Sequence, residues 1–175
     1  MFAMLFAFAF SASSCSKNDD DNESEKEKEQ TPESVVSTFT LSVSDDMVNY
    51  LDITVEYYDE NGKVQKENMS ATSWSKAVTS KLPATVGVCV KATIKEGKDL
   101  SSVEKFKYTR NYSIKYQFID KNGQKLNSLD SDGVSSTSSF NGAKIPALLK
   151  ENENDILWSR LCTIDAEGNK TTGKW

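Results

Sequence analysis

Four segments of the sequence alternate apolar and polar residues with a period of two, the pattern of a β-strand that buries one face. In the first of them, Val35, Phe39 and Leu41 share one side, and Thr38 and Thr40 share the other. The four segments span residues 35–43, 51–57, 86–94 and 108–118. Antiparallel sheets often bury one face against a second sheet, so the sequence predicts packed antiparallel sheets.

Three short segments, each following a predicted strand, have the composition of tight hairpin loops, with Asp first and Gly fourth. They are Asp59–Lys63, Asp120–Gln124 and Asp165–Asn169. This order favours a type I turn closed by a glycine in the left-handed conformation. Shorter strands are predicted over 73–78, 135–140 and 170–175, and the one helical candidate runs from Ile145 to Asn152.

With seven to nine strands in about 140 residues, the sequence predicts an all-β protein, an antiparallel β-sandwich of immunoglobulin-like or related topology. We expect this domain to span residues 35–175. The length suits one domain with a core that needs no metal.

The first ten residues, Met1 to Phe10, are all apolar. A transmembrane helix needs about 20 apolar residues, so this run is too short to span a bilayer. It has the character of the apolar centre of a secretion signal, and the small residues Ser11 to Ser14 follow as a cleavage region. We therefore expect a signal peptide over residues 1–14, and, because no Lys or Arg precedes the run, a natural start further upstream.

Small residues directly before Cys15 resemble the lipobox of bacterial lipoproteins. The resemblance implies that Cys15 is the lipidation site and that two or three acyl chains anchor the protein stably. The acidic residues Asp19 to Asp21 resemble the export signal of Bacteroidota surface lipoproteins, which implies the outer leaflet of the outer membrane. The alternatives are a plain solvated spacer, a periplasm-facing lipoprotein, and a buried N-terminal helix with an incidental cysteine.

Residues 15–34 are predicted to form a disordered acidic tether, because they lack the apolar surface that would offset the entropy of folding. Residues 16–34 contain eight acidic and three basic side chains, and residues 35–175 carry equal numbers of each. Fully extended, these 19 residues reach on the order of 60 Å.

The charge and residue content argue against several classes of function. The net charge of -5 is opposite to that of a nucleic-acid-binding surface, so we expect no nucleic-acid partner. The chain has no histidine, the commonest general base and metal ligand. It also has no nucleophile elbow and no glycine loop for phosphate. We therefore expect no enzyme activity, no cofactor and no metal site.

Trp74, between Ser73 and Ser75, is the best candidate for an exposed aromatic that stacks on a sugar ring. Large aromatics are more often core residues, so a core position remains the alternative for Trp74. Trp158 is predicted to be a core residue because of its apolar neighbours. The segment Asp130–Gly133 hints at a calcium loop but lacks the further ligands, which favours a turn.

Cys89 and Cys162 raise the question of a disulfide. Alternation places Cys162 on the core face and Cys89 on the polar face of its strand, which disfavours the required Cα separation of about 4.4–6.8 Å. We expect two free thiols, of which only Cys162 is buried.

These features lead to one main functional hypothesis and one alternative. The main hypothesis is a lipid-anchored binding or accessory module at the cell envelope, with a glycan or protein ligand bound by loops at one end of the sandwich. An exposed aromatic pair would favour it. The alternative is a structural or assembly subunit such as an adhesin or pilus-accessory protein. A long unpaired edge strand would favour that role.

Overall fold

A computed structural model of the chain describes residues 31–151 and 153–175, with the side chains of 127–131 and 153 outside the description. The elements of this part are nine strands, two short α-helices and two 3₁₀ turns. The strands are β1 (Pro32–Ser42), β2 (Leu51–Tyr58), β3 (Val64–Met69), β4 (Ser73–Lys81), β5 (Ala84–Ile94), β6 (Phe106–Asp120), β7 (Lys125–Phe140), β8 (Ile156–Ile164) and β9 (Lys170–Gly173). The helices are α1 (Asp45–Tyr50) and α2 (Ile145–Lys150), and the 3₁₀ turns are Gly142–Lys144 and Glu153–Asp155.

The strands form two antiparallel sheets. The first has the order β4-β1-β6-β7, and the second has the order β3-β2-β5-β8-β9. Their apolar faces meet in one core. The predicted all-β antiparallel sandwich is confirmed, and the nine strands of the described residues fall within the predicted range.

The core consists of the inward positions of the predicted strands. Phe39 from the first sheet and Tyr57 from the second have ring centroids 6.3 Å apart. The four alternating segments supply most of the buried side chains: Val35, Phe39, Leu41, Val43, Leu51, Ile53, Val55, Tyr57, Val86, Val88, Val90, Ala92, Tyr108, Tyr112, Ile114, Tyr116 and Phe118. Full burial of each large apolar side chain contributes about 1.5–3 kcal/mol, so this alternation supplies most of the driving force for folding.

The outer face of β5 does not match the prediction, because Gly87 and Cys89 are buried instead of solvent-facing. Helix α2 and the turn Glu153–Asp155 contact β5. A Cβ added at Gly87 would lie 2.9 Å from Leu161 and 3.0 Å from Trp175, so the C-terminal residue also covers this face. The centre of β5 is therefore buried on both sides, which period-two alternation could not indicate.

The three predicted hairpin loops are confirmed. Gly62, Gly123 and Gly168 have φ of +70°, +77° and +88°, the left-handed conformation that glycine adopts without strain. In each loop the first aspartate accepts hydrogen bonds from the backbone N–H groups two and four residues later. The side chain thus replaces strand pairing with local hydrogen bonds, which fixes the turn.

Other elements differ in detail from the sequence predictions. Helix α2 begins at Ile145 as expected but ends at Lys150, and α1, capped by the Ser44 side chain, was not expected. The segment 130–133 lies inside β7, so the predicted turn there is wrong. Strand β1 begins at Pro32, before the predicted domain start at residue 35.

The predicted signal peptide, Cys15 and residues 15–30 of the predicted tether lie outside the described residues. Residues 32–34 were predicted to belong to the disordered tether, and that part of the prediction is wrong because they pair in β1. Within the described ranges, no helix has the length and apolar character needed to cross a membrane.

Candidate functional site

Trp74 is the second residue of β4, the edge strand of the first sheet, and does not lie in an end loop. Its side chain is half-buried, between the core and solvent. The indole packs on the Tyr57 ring, with centroids 5.7 Å apart and the planes at 50°. Trp74 is therefore neither the exposed aromatic nor the core residue that the sequence analysis offered as alternatives.

The polar groups around Trp74 converge on one carboxylate, that of Glu67 on β3. Glu67 Oε1 accepts hydrogen bonds from the Tyr57 hydroxyl at 2.7 Å and from Lys76 Nζ at 2.9 Å. Glu67 Oε2 accepts one from Trp74 Nε1 at 2.8 Å. Because β3 and β4 are edge strands of different sheets, these bonds join the two sheets along one open side. We call these four residues the Trp74 cluster.

Hydrogen bonding sets the charge state of the cluster. Donation from Tyr57, Lys76 and Trp74 lowers the pKa of Glu67 to about 2. The hydrogen bond to Glu67 raises the pKa of Lys76. Both groups are therefore charged at neutral pH. A carboxylate held ionised in this way is a poor general acid and a good hydrogen-bond acceptor.

The cluster retains hydrogen-bonding capacity toward solvent. An ionised carboxylate has about four acceptor positions and an ammonium has three donors, and the bonds described above use only part of both. The side chains of Lys76 and Glu67 are 41% and 37% exposed. A fixed indole thus lies beside an accessible acceptor and an accessible donor, a combination of apolar surface and few polar groups typical of small-ligand sites.

Trp74 and the start of the described chain lie toward opposite ends of β1. Trp74 pairs with Leu41 near the end of β1, and the chain enters β1 at Pro32. At a rise of about 3.3 Å per residue, the two positions are about 30 Å apart along the strand. The Trp74 cluster therefore lies toward the end of β1 opposite to the point where the N-terminal segment joins the sandwich.

A shallow surface depression lies at the Pro32 end. A Cβ added at Gly168, in the hairpin beside it, would lie 3.0 Å from Pro32 Cγ. The depression is lined by Pro83, Ala84, Thr85, Thr163, Ile164, Asp165, Asn169 and Thr171. Its one charged group, Asp165, is occupied by hydrogen bonds within its own turn, which lower its pKa. This depression therefore offers a ligand fewer free charged groups than the Trp74 cluster does.

The other open side of the sandwich has its own connection between the sheets. Arg160 Nε on β8 donates to Asp132 Oδ2 on β7 at 2.6 Å. The Arg160 guanidinium lies 6.0 Å from the centre of the Trp158 ring, and that ring packs on Tyr112 at 5.5 Å. Trp158 was predicted to be a core residue, and it is partly buried and packs against the core.

Arg110 is the residue on this side that the sequence interpretation missed. It lies between Tyr108 and Tyr112, in register with the core-facing side of β6. Its guanidinium lies 5.5 Å from the centre of the Tyr108 ring, and its Nε donates to Ser136 Oγ at 3.4 Å. The buried hydroxyls of Tyr108 and Tyr112 have no hydrogen-bond partner among the described residues. The sequence signal that could have identified Arg110 is a charged residue at an inward position of an otherwise apolar alternation.

Cys89 and Cys162 are both free and buried. The structure gives both as unbonded thiols, and the predicted exposure of Cys89 is wrong because the outer face of β5 is covered. Burial raises the pKa of Cys89 to about 11. Cys162 Sγ lies 3.3 Å from the Tyr116 hydroxyl in the core. Both thiols lack the exposure of a reactive cysteine, and the pKa of Cys89 is raised, not lowered.

Within the described residues, no group of three or more Cys, Asp or Glu side chains could hold a metal ion. The fold defines a two-sheet antiparallel β-sandwich, a scaffold that serves many unrelated functions. No protein-family model matches the sequence, and no curated protein matches it.

Proposed function

We propose that the protein is a lipid-anchored lipoprotein of the cell envelope whose β-sandwich is a carbohydrate-binding module. The observation that carries the binding part is the Trp74 cluster, a fixed indole beside an accessible carboxylate and ammonium. A sugar ring presents apolar C–H groups on its faces and hydroxyls at its rim. The indole suits the faces, and Glu67 and Lys76 suit the hydroxyls as acceptor and donor.

The anchor rests on the lipobox-like residues before Cys15 and the acidic residues after it. Residues 16–31 separate that cysteine from β1 and could reach on the order of 50 Å when extended. With the tether attached at Pro32, the Trp74 cluster would lie toward the end of β1 that is farther from the anchor, where polymeric ligands have access. Outer-leaflet exposure on the outer membrane is the proposed location, and a periplasm-facing anchor is the alternative.

The anchor is tested by expressing the gene from an upstream start in wild-type and Cys15→Ala forms. Cells are labelled with a palmitate analogue and treated with external protease. We expect label on wild type alone and digestion from outside. Label with protease resistance would place the protein facing the periplasm. Label on neither form would overturn the lipoprotein proposal.

The binding proposal is tested by affinity electrophoresis of the full chain in gels that contain soluble neutral polysaccharides. We expect at least one polysaccharide to retard the wild type, and Trp74→Ala and Glu67→Gln to weaken retardation about tenfold, as expected for central contacts. Trp175→Ala is the matched control, since Trp175 packs on Tyr58 away from the cluster. Equal retardation of the Trp74 and Trp175 variants would contradict the proposed site.

A second candidate, an assembly role, is favoured by a separate observation. Strand β7 is 16 residues long and forms the edge of the first sheet. Edge strands with free backbone groups pair readily with strands of other chains.

A further inference from the structure

We infer that β7 pairs with β7 of a second copy of this chain, antiparallel and centred on Thr137. The pairing would join two four-stranded sheets into one continuous eight-stranded sheet. This inference rests on the assembly role, the second candidate above, and names its partner. It is independent of carbohydrate binding and of the lipid anchor.

The edge of β7 is regular where the pairing would form. From Phe106↔Phe140 to Ile114↔Asp132, β7 follows β6 without a register shift, and the bulges occur only further along. Among the described elements, β6 is the single strand that pairs with β7. The other side of β7 therefore carries a row of backbone donors and acceptors directed away from its own sheet.

The chemistry of this edge differs from that of the three other edges. Residues 133–140 contain no charged residue and no proline, and Ser135, Thr137 and Ser139 are exposed. The other edge strands all carry charged side chains: Lys66 and Glu67 on β3, Lys76 and Lys81 on β4, and Lys170 on β9. Charged residues are the usual protection of an edge against pairing, and this part of β7 lacks it.

The sequence of the segment is self-complementary, which favours a second copy over an unrelated strand. A two-fold axis at Thr137 places Thr137 opposite itself and Ser135 opposite Ser139 of the other copy. It also places half-buried Val134 opposite half-buried Phe140. Thr–Thr, Ser–Ser and aromatic–aliphatic pairs each stabilise antiparallel strands.

The symmetry also avoids repulsion. A symmetric strand pair brings identical residues to equal offsets, so a charge near the axis would meet its own copy. The nearest charge within β7, Asp132, lies five residues from the axis, outside residues 134–140 that would pair with β7 of the other copy. Closed two-fold pairing also pairs the two β7 edges with each other, so neither β7 is left free for a further copy.

The register gives a sharp test by disulfide trapping in the full chain. Directly opposed residues in antiparallel strands have Cα atoms about 4.5–5.5 Å apart, within the range of a disulfide. Thr137→Cys should therefore form a covalent dimer on oxidation with copper phenanthroline. Ser135→Cys alone should not, because its two copies lie about 13 Å apart along the strands. Ser135→Cys with Ser139→Cys in one chain should again form the dimer.

The parental chain, with its own three cysteines, is the baseline on non-reducing gels, and circular dichroism confirms that each variant folds. The inference is overturned if Thr137→Cys dimerises no more than the parental chain, or if Ser135→Cys alone dimerises equally well. A disulfide between Thr137→Cys and a different host protein would also overturn it, in favour of a foreign strand at this edge.

A charge variant checks the same axis without a new cysteine at Thr137. Adding Thr137→Lys to the chain with Ser135→Cys and Ser139→Cys places two lysines opposite each other, and should reduce dimer formation about two- to fivefold. Thr79→Lys, at an exposed position on the β4 edge, is the matched control and should leave the yield unchanged. Equal yields from both lysine variants would overturn the inference. Failure of polysaccharide binding or of lipid labelling would not affect these yields.

Discussion

Replacement of Glu67 by Gln should destabilise the sandwich at neutral pH and have little effect in strong acid. The substitution keeps the size of the side chain and removes its charge. Glu67 accepts hydrogen bonds from Tyr57, Trp74 and Lys76. Tyr57 lies on β2 of the second sheet, and the other two donors lie on β4 of the first sheet. The carboxylate is thus the one group through which these donors connect the open edges.

The expected magnitude follows from the bonds lost. The glutamine oxygen can replace only one of the two carboxylate oxygens. The amide nitrogen is a donor and cannot accept a hydrogen bond, so either the bond from Trp74 Nε1 or the two bonds at Oε1 are lost. Hydrogen bonds to a charged acceptor contribute about 1.5–3 kcal/mol and neutral ones about 0.5–1.5 kcal/mol. Glu67 and Lys76 are more than a third exposed, so water replaces part of the loss. We expect Glu67→Gln to cost about 1–2 kcal/mol at pH 7.

The sign of the pH dependence is set by the lowered pKa of Glu67. The folded-state value is about 2, against 4.5 for the free side chain. The unfolded chain therefore binds the proton first as the pH falls. The contribution of Glu67 is fully present above pH 4.5, decreases as the pH falls from there to about 2, and is absent below.

Urea unfolding of wild type and Glu67→Gln at pH 7, 4.5 and 3 measures this directly. The difference in unfolding free energy should be largest at pH 7 and smaller at pH 3. A double-mutant cycle with Lys76→Met isolates the ion pair, for which we expect about 0.2–1 kcal/mol. A difference that stays constant from pH 7 to pH 3, or one below about 0.3 kcal/mol at pH 7, would refute the reasoning.

Three further predictions concern the core and its cover. In the native chain, thiol reagents followed by mass spectrometry should label Cys89 and Cys162 only as fast as the protein unfolds; rapid labelling of Cys89 would contradict the buried outer face of β5. Gly142→Ala places a Cβ against the Leu100 carbonyl oxygen and should cost about 1–3 kcal/mol in urea unfolding; no loss would show that the contact relaxes freely. Tyr112→Phe removes a buried hydroxyl that has no hydrogen-bond partner among the described residues, and it should raise stability by about 1 kcal/mol; a loss of similar size would reveal a partner for the hydroxyl.

Local sequence carried enough information to place most strands and their inward faces. The alternation over Val35 to Val43 reproduces the burial of β1 position by position, because one face of that strand contacts the core and the other does not. The hairpin at Asp120 was equally predictable, because the aspartate and Gly123 determine the turn through local bonds.

Features that depend on contacts between distant elements could not be predicted in this way. Cys89 alternates with Val88 and Val90 as an outward residue should, but it is buried, because elements distant in sequence contact β5 and Trp175 lies beside Gly87 on the same face. Alternation reports which face of a strand is apolar, not whether another element covers the opposite face. The same limit concealed α1, whose six residues are too short for a helical period to emerge.

Both candidate surfaces depend on strand order, which local patterns do not encode. Glu67 meets Trp74 because β3 and β4, adjacent in sequence, end as edges of different sheets. Thr137 is accessible for pairing because β7 is the last strand of its sheet. In the inner strands of a sandwich, the inward side chains pack in the core and the backbone groups hydrogen-bond to the neighbouring strands. Edge strands keep polar side chains beside apolar ones and leave backbone groups unpaired, so binding chemistry in such a fold concentrates at the edges.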